Sequence, residues 1–398
     1  MNETALAGYR VLELAQDVAG PYAGRLLAGY GAEVIKVEPL QGDQARRQPP
    51  FQGDDPHPDK SGLFLYLNQN KKGISLNLET PTGRAILRRL IDGAHAVIEG
   101  FAPGYLDSYG LAPEDLIQAK ASLVVTSVTP FGQTGPYASF SGGDLVVDAL
   151  GSCSYVRGDP ARHPLYAGGR IVHYAGGLAA FTATLAALRH ARLTGEGQHV
   201  DVSMMETLLQ YNEYFVMFYP VQGVVADRGL WWNQGGRFVP CRDGYSVIAA
   251  GPQDRFDAFQ TFVGDGLPEI YEERFSTVAG RAQHGDELRQ LLHRWAADKE
   301  KRELMARGQE LRLPFGYVAD TAGALDDPQN QARGYFVEVE HPMTGRFKVP
   351  GAPFRMSETP FRTEQPAPLW GQHNVDIYCG ELGYTRDDLV RLRASGAI

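Results

Sequence analysis

Arg10–Pro39, RVLELAQDVAGPYAGRLLAGYGAEVIKVEP, is the stretch whose reading decides the fold. Tyr9–Leu14 is apolar and β-prone, Gly20-Pro21 interrupts it, and Tyr22–Tyr30 spaces its apolar residues as a helix does. Gly31 ends that helix before a second strand, Glu33–Val37. Strand, helix and strand in so short a span form a βαβ unit, which implies a parallel sheet with a right-handed crossover.

Working outward, the pattern repeats. Ile74–Leu78 reads as a strand, Thr80–Asp92 as a helix opened by Thr80-Pro81, and Ala96–Glu99 as a strand. A helix over 113–121 leads to the strand Leu123–Val128, and an Ala-rich helix over 176–191 leads to His199–Val202. The expected class is α/β, with a doubly wound, Rossmann-like large domain. Gln41–Ser61 and Gly132–Gly143 read as long surface loops. Beyond Asn212 the pattern changes. Asp243-Gly244 between two β-prone runs predicts a hairpin, with helical segments over 255–263 and 286–306. The expected division is 1–210 as the first part of the large domain, 211–225 as a linker, and 226–310 as a small α+β domain. A second linker over 311–330 then leads to 331–398, the C-terminal part of the large domain.

The 398 residues exceed what one core usually supports. A formal charge of −9 argues against non-specific nucleic-acid binding. Cys153, Cys241 and Cys379 form no disulfide framework, and MNETALAGYR has no signal-peptide pattern. No apolar run reaches membrane-spanning length, the best being 176–188. The reading is a cytoplasmic protein with no membrane partner. There is no GxxxxGK[ST], no GxGxxG after the first strand, no GxSxG and no metal-spaced His or Cys cluster. The residues alone yield an α/β protein with Gly-rich loops after strands, where ligands often sit, and no particular reaction.

The first stretch nevertheless resembles the opening of the class III CoA-transferases, the CaiB/BaiF family. The resemblance continues through Asn68–Gly83 (NQNKKGISLNLETPTG), Glu99–Gly110 (EGFAPGYLDSYG), Ser127–Tyr137 (SVTPFGQTGPY) and Gly195–Ser203 (GEGQHVDVS). Asp327–Arg333 (DPQNQAR), His341–Pro353 and Gly371-Gln372-His373 carry it almost to the C-terminus. It implies a large domain built from both chain ends, a small domain on two linkers, and a dimer of interlocked rings. It also implies chemistry in which an aspartate attacks a donor thioester, becomes an aspartyl-CoA thioester, and is opened by an acceptor acid.

In that family the aspartate precedes the Ala-rich helix. The matching stretch here is Gly169–Gly177, GRIVHYAGG, with His173 at its place. An imidazole is unable to become a CoA thioester. The racemases of the family add a histidine in a GHD-like segment, which here reads Gly142-Gly143-Asp144 and puts Gly143 at that position. The expected partner acid of His173 is therefore missing. Positions the resemblance associates with CoA also depart: Glu79 stands for a basic residue, Gly100 for an Asn before Phe101, and Ser108 for a basic residue. Val18, Ala19, Lys71, Lys72 and Leu76 complete this degenerate CoA site, with Lys71 and Lys72 as candidate phosphate contacts or as a solvated turn. Asp144 and Asp148 read as candidates for a replacement nucleophile or, at helical spacing, as an exposed helix face. Trp231-Trp232 with Gly235-Gly236 read as a substrate lid or a subunit contact.

The functional reading is a non-catalytic subunit of a heteromeric CoA-transferase, most like the benzylsuccinate type, whose homologous sister chain carries the aspartate. CoA and acyl-CoA are then substrates of the complex. No tightly bound cofactor and no metal are expected. The alternatives are an active homodimeric acyl-CoA isomerase or racemase-like enzyme using His173 as base, and a non-enzymatic scaffold.

Overall fold

The computed structural model describes residues 4–228, 236–249 and 253–398. Contacts divide the chain into two units. One comprises Met1–Gly151, Ala167–Tyr211 and Gln331–Ile398, and the other Ser152–Tyr166 and Asn212–Asn330.

The first unit is a parallel six-stranded sheet flanked by helices. Its elements run β1 (Arg10–Glu13), α1 (Ala19–Gly29), β2 (Glu33–Glu38), α2 (Gly62–Leu67), β3 (Lys72–Ser75) and α3 (Pro81–Asp92). They continue with β4 (Ala96–Glu99), α4 (Pro113–Ala119), β5 (Val124–Thr129), α5 (Asp144–Leu150), α6 (Ile171–Thr194) and β6 (His199–Ser203). The strand order is β3-β2-β1-β4-β5-β6, so the winding direction reverses between β1 and β4. Apolar β-branched residues on both faces of the central strands, such as Val11, Ile35, Val97 and Val125, are wholly buried, as helices on two sides require.

Most expected elements appear within a few residues of their anticipated ends. β3 differs: it begins at Lys72 and stops at Ser75, short of the anticipated Leu78. The C-terminal segment takes over its hydrogen bonding there. The Ser75 amide donates to the Asn374 side chain at 3.0 Å, and the Asn77 amide to the Ala397 carbonyl at 2.8 Å. The Ala-rich helix is longer than anticipated. At 24 residues α6 is long and apolar enough to cross a bilayer by composition alone, but Val172, Ala175, Ala180 and Thr184 are buried. Its Thr184 hydroxyl lies 2.8 Å from that of Thr126 in β5, which marks it as the core helix of the sheet. The stretch 41–61 is not simply a surface loop. Asp43, Arg46 and Ser61 within it are buried, and Arg46 pairs with Glu38 at 2.6 Å.

The second unit is α+β. The hairpin Gly236–Cys241/Gly244–Ala249 forms at the expected Asp243-Gly244 turn, and Phe315–Tyr317 adds a third antiparallel strand. Val239, Ile248, Phe256, Phe259, Trp295 and Phe315 centre its core. Because Phe315 lies in that core, 311–330 groups with this unit, as does 152–166. The helical stretch read over 286–306 is two helices, Gly285–Ala296 and Lys301–Glu310. Trp231, Trp232 and Gly235 lie outside the described residues.

Three histidines of the first unit each accept a backbone amide at Nδ1: His95 from Arg10, His341 from Met343 and His373 from Gly73. Burial holds all three pKa values below the ordinary imidazole value of 6.5. Protonation would also turn each acceptor into a second donor facing an N–H. Because the folded values are depressed, this stabilisation is complete above about pH 6.5 and is lost as pH falls through the folded values. The urea midpoint should fall between pH 7.5 and 5.5. His373→Gln, which keeps an acceptor that does not titrate, should shrink that fall.

Candidate functional site

The connection from β1 to α1 turns sharply, and Asp17 makes the turn in the left-handed region at φ +64°. Asp enters that region more readily than most residues, and Asp43 fixes it there. The Asp43 Oδ1 atom accepts the Asp17 amide at 3.0 Å and the Ala45 amide at 2.7 Å. Asp43 is itself part of a buried charge cluster. Lys36 Nζ lies 2.6 Å from Asp43 Oδ2 and 2.8 Å from Glu13 Oε1, and Lys71 Nζ lies 2.6 Å from Glu13 Oε2. Burial alone would lower the Lys36 pKa, but Asp43, Glu13 and Glu38 outweigh it and hold the ammonium charged. Lys71 has less negative charge around it, and burial pushes it down to about 8.

The carboxylate of Asp17 reaches the start of α6. Its Oδ1 accepts from Arg170 Nη1 at 2.8 Å and from Gln48 Nε2 at 2.9 Å, while Arg170 also bonds Gln48. Arg170 precedes α6 at φ +59°. His173 is in the first turn of α6, with its side chain 15% exposed. Its Nδ1 lies 3.2 Å from Asp144 Oδ1, and its Nε2 lies 4.0 Å from Asp17 Oδ2. Since an ionised carboxylate only accepts, Nδ1–H donates to Asp144, and Nε2 is the nitrogen left for chemistry. Asp144 thus lies on one side of the His173 ring and Asp17 on the other. This arrangement can hold and pass a proton, but it offers no acyl-accepting carboxylate at position 173.

A second feature opens beyond the carboxyl ends of β1–β4. It is a crevice of about 120 Å³ whose lining includes Leu14, Val37, Leu76, Glu79, Phe101 and Tyr105. It lies at the reversal of strand order, where open parallel sheets bind ligands.

A family profile described as CoA-transferase family III matches residues 6–374. The chain belongs to CoA-transferase family III. It is 34% identical to the succinate–glutarate CoA-transferase of Agrobacterium fabrum, over 94% of each chain. It is 31% identical to the succinyl-CoA:(R)-benzylsuccinate CoA-transferase subunit BbsE of Thauera aromatica, over 97% of each. Among solved structures, a CaiB/BaiF family protein from Brucella suis superposes with a TM-score of 0.83 at 31% identity, over 95% of this chain and 99% of the other.

Within this family III chain, the candidate CoA positions separate. Leu76, Glu79 and Phe101 line the crevice. Val18 and Ala19 are buried at the start of α1. A Cβ on Gly100 would meet that of Ala15 at 3.4 Å, and Ser108 sits on an exposed turn with its hydroxyl on the Tyr105 carbonyl. Lys71 and Lys72 stand apart from the crevice. Lys71 is buried on Glu13, Asn68 and the Pro21 carbonyl, and Lys72 pairs with Glu33 at the amino end of the sheet. Lys71 is buried, whereas the Lys72 side chain is 37% exposed, and both have carboxylate partners. A Cβ on Gly143 would have nothing within 4 Å, so that position has room for a side chain. Asp148 is 1% exposed, which corrects the reading of it as part of an exposed face. Asp17, Gln48 and Arg170 escaped sequence reasoning because they fall in three separate connections and share no spacing.

Proposed function

We propose that this chain is a subunit of a heteromeric CoA-transferase that moves CoA between an acyl-CoA and a carboxylic acid, and that it relies on a homologous sister chain for the transfer aspartate. The observation that carries this reading is His173, which stands where the resemblance puts that aspartate and is tied through Nδ1 to Asp144. CoA and acyl-CoA are substrates of the complex rather than resident cofactors. Apolar side chains left exposed on the first unit, Tyr137, Phe140, Leu145, Val146 and Leu150, favour a partner chain. The second unit likewise exposes Tyr214, Met217, Tyr219, Val221, Val224 and Val225. An interlocked dimer of the family type would cover both sets. Cys153, Cys241 and Cys379 form no disulfide among the described residues, in keeping with the cytoplasm.

The test is turnover. The chain purified alone should transfer no CoA from succinyl-CoA to any of a panel of dicarboxylic acids, and co-expression with the sister chain should produce transfer. His173→Ala should leave the rate of the complex within about twofold. Covalent CoA found on the isolated chain by mass spectrometry would end the reading.

One observation favours a second reading. Asp144 on Nδ1 and an open Nε2 are what an imidazole base requires. A homodimeric acyl-CoA isomerase using His173 would exchange the α-proton of an acyl-CoA with solvent deuterium, and His173→Ala would abolish that exchange.

A further inference from the structure

At the amino ends of β1, β4 and β5, the edge of the sheet away from the crevice, Tyr9, His95 and Ser122 each lie just before a strand. Together with Leu188, Ala191 and Arg192 of α6 they line a surface recess of about 320 Å³. That is the small end of the ~300–1,000 Å³ range of sites that take small molecules. Part of its wall is apolar: Leu188 and Ala191 are buried, and the Tyr9 ring meets the His95 ring edge-on at 5.5 Å.

The polar groups on the wall are donors. His95 Nδ1 accepts the Arg10 amide at 3.0 Å, so the ring proton sits on Nε2, which is left to donate. Burial, then the charges of Lys120 and Arg10, hold the His95 pKa below the ordinary imidazole value, so the ring is neutral at pH 7.5. Those two cations are engaged elsewhere, Lys120 with the Asp92 carbonyl at 2.8 Å and Arg10 with Glu33 and Glu381. The Ser122 hydroxyl adds a donor that turns to suit its partner. Arg192 is exposed and has no carboxylate partner among the described residues, and no acidic side chain shares the lining with it. Donors around one uncommitted positive charge suit a carboxylate, whose two oxygens match the fork of a guanidinium. They suit a phosphate dianion less well. Arg192 stands in the last turn of α6, where the negative end of the helix already draws on its charge, and a second negative charge would meet no free cation.

We infer that this recess binds a small monocarboxylic acid, with the carboxylate on Arg192 and the Nε2–H of His95 and an apolar body against Tyr9, Leu188 and Ala191. The site is separate from the surroundings of His173. One helix carries both, His173 in the first turn of α6 and Arg192 in the last, about 28 Å apart along the axis at ~1.5 Å per residue. Binding here therefore requires neither the transfer chemistry nor a sister chain.

The experiment is a nuclear magnetic resonance titration of the full chain at pH 7.5, following the histidine rings. The probes are benzoate, benzyl alcohol (the same body without the charge), acetate (the same head without the body) and inorganic phosphate. Benzoate should move the His95 signals saturably and leave those of His173 in place, and it should bind at least tenfold more tightly than each of the other three. Arg192→Met, at an exposed position, should weaken benzoate at least tenfold and leave benzyl alcohol within about twofold. Arg192→Lys, which keeps the charge, should lose less than Arg192→Met. Benzoate binding that Arg192→Met does not alter overturns the inference, as does a shift of His173 in place of His95. Phosphate binding as tightly as benzoate overturns it too, and so does the lack of any saturable shift.

Discussion

Lys36→Met should destabilise the large unit by about 3–5 kcal/mol, the usual cost of removing one partner from a buried ion pair. Lys36 is wholly buried, and its ammonium lies between Glu13 and Asp43, which are also buried, with a further bond to the Ala15 carbonyl. Methionine fills similar volume, so the loss isolates charge from packing. Asp43 is left with no cation, and Glu13 keeps only Lys71. Thermal unfolding should shift down by roughly 6–20 °C at 2–4 °C per kcal/mol. A change below about 1 kcal/mol in urea titration would show that the cluster is not a closed network. The effect should reach the site, because Asp43 also holds the Asp17 amide.

Gly177→Ala should also destabilise, although alanine is the better helix former by about 1 kcal/mol. A Cβ at position 177 would lie 2.4 Å from the Ala19 carbonyl oxygen and close to Tyr22. No rotamer relieves a clash with backbone, so α6 and α1 must separate, at an overpacking cost of about 1–3 kcal/mol. The expected net result is a loss in urea denaturation, and Gly177→Leu should lose more. The consequence for the site is specific. Asp17 precedes α1 and His173 opens α6, so the 4.0 Å approach between them depends on this contact. Nuclear magnetic resonance of the His173 ring should shift in Gly177→Ala and not in an alanine placed at the exposed helix-turn position Ser108. An unchanged His173 signal with a destabilised chain would mean that the ring is held by Asp144 alone.

The legibility of this protein varied with the range of the interactions involved. β4 was read to the residue, because Ala96–Glu99 is a short apolar strand bracketed by turn signals. β3 was misplaced because its end is set by Asn374 and Ala397, some three hundred residues away in sequence. His173 was legible as a departure, since one residue stands out against a known motif. Its surroundings were not. Asp144 follows a glycine loop, Asp17 a strand and Arg170 a third connection, and only the packing of α1, α5 and α6 brings them together. Lys71 and Lys72 show the opposite failure: adjacent cations invite a phosphate, yet each is taken by a carboxylate from another strand.

The amino-acid sequence by itself determined the alternation of strands and helices, the parallel sheet and the family. Each follows from periodicities and motifs a few residues long, whose physics is local. Tertiary structure alone decided the ring that sits between two carboxylates and the buried cluster beneath the first turn. Electrostatic neighbours are chosen by distance in space, and burial multiplies their effect, so no local pattern announces them.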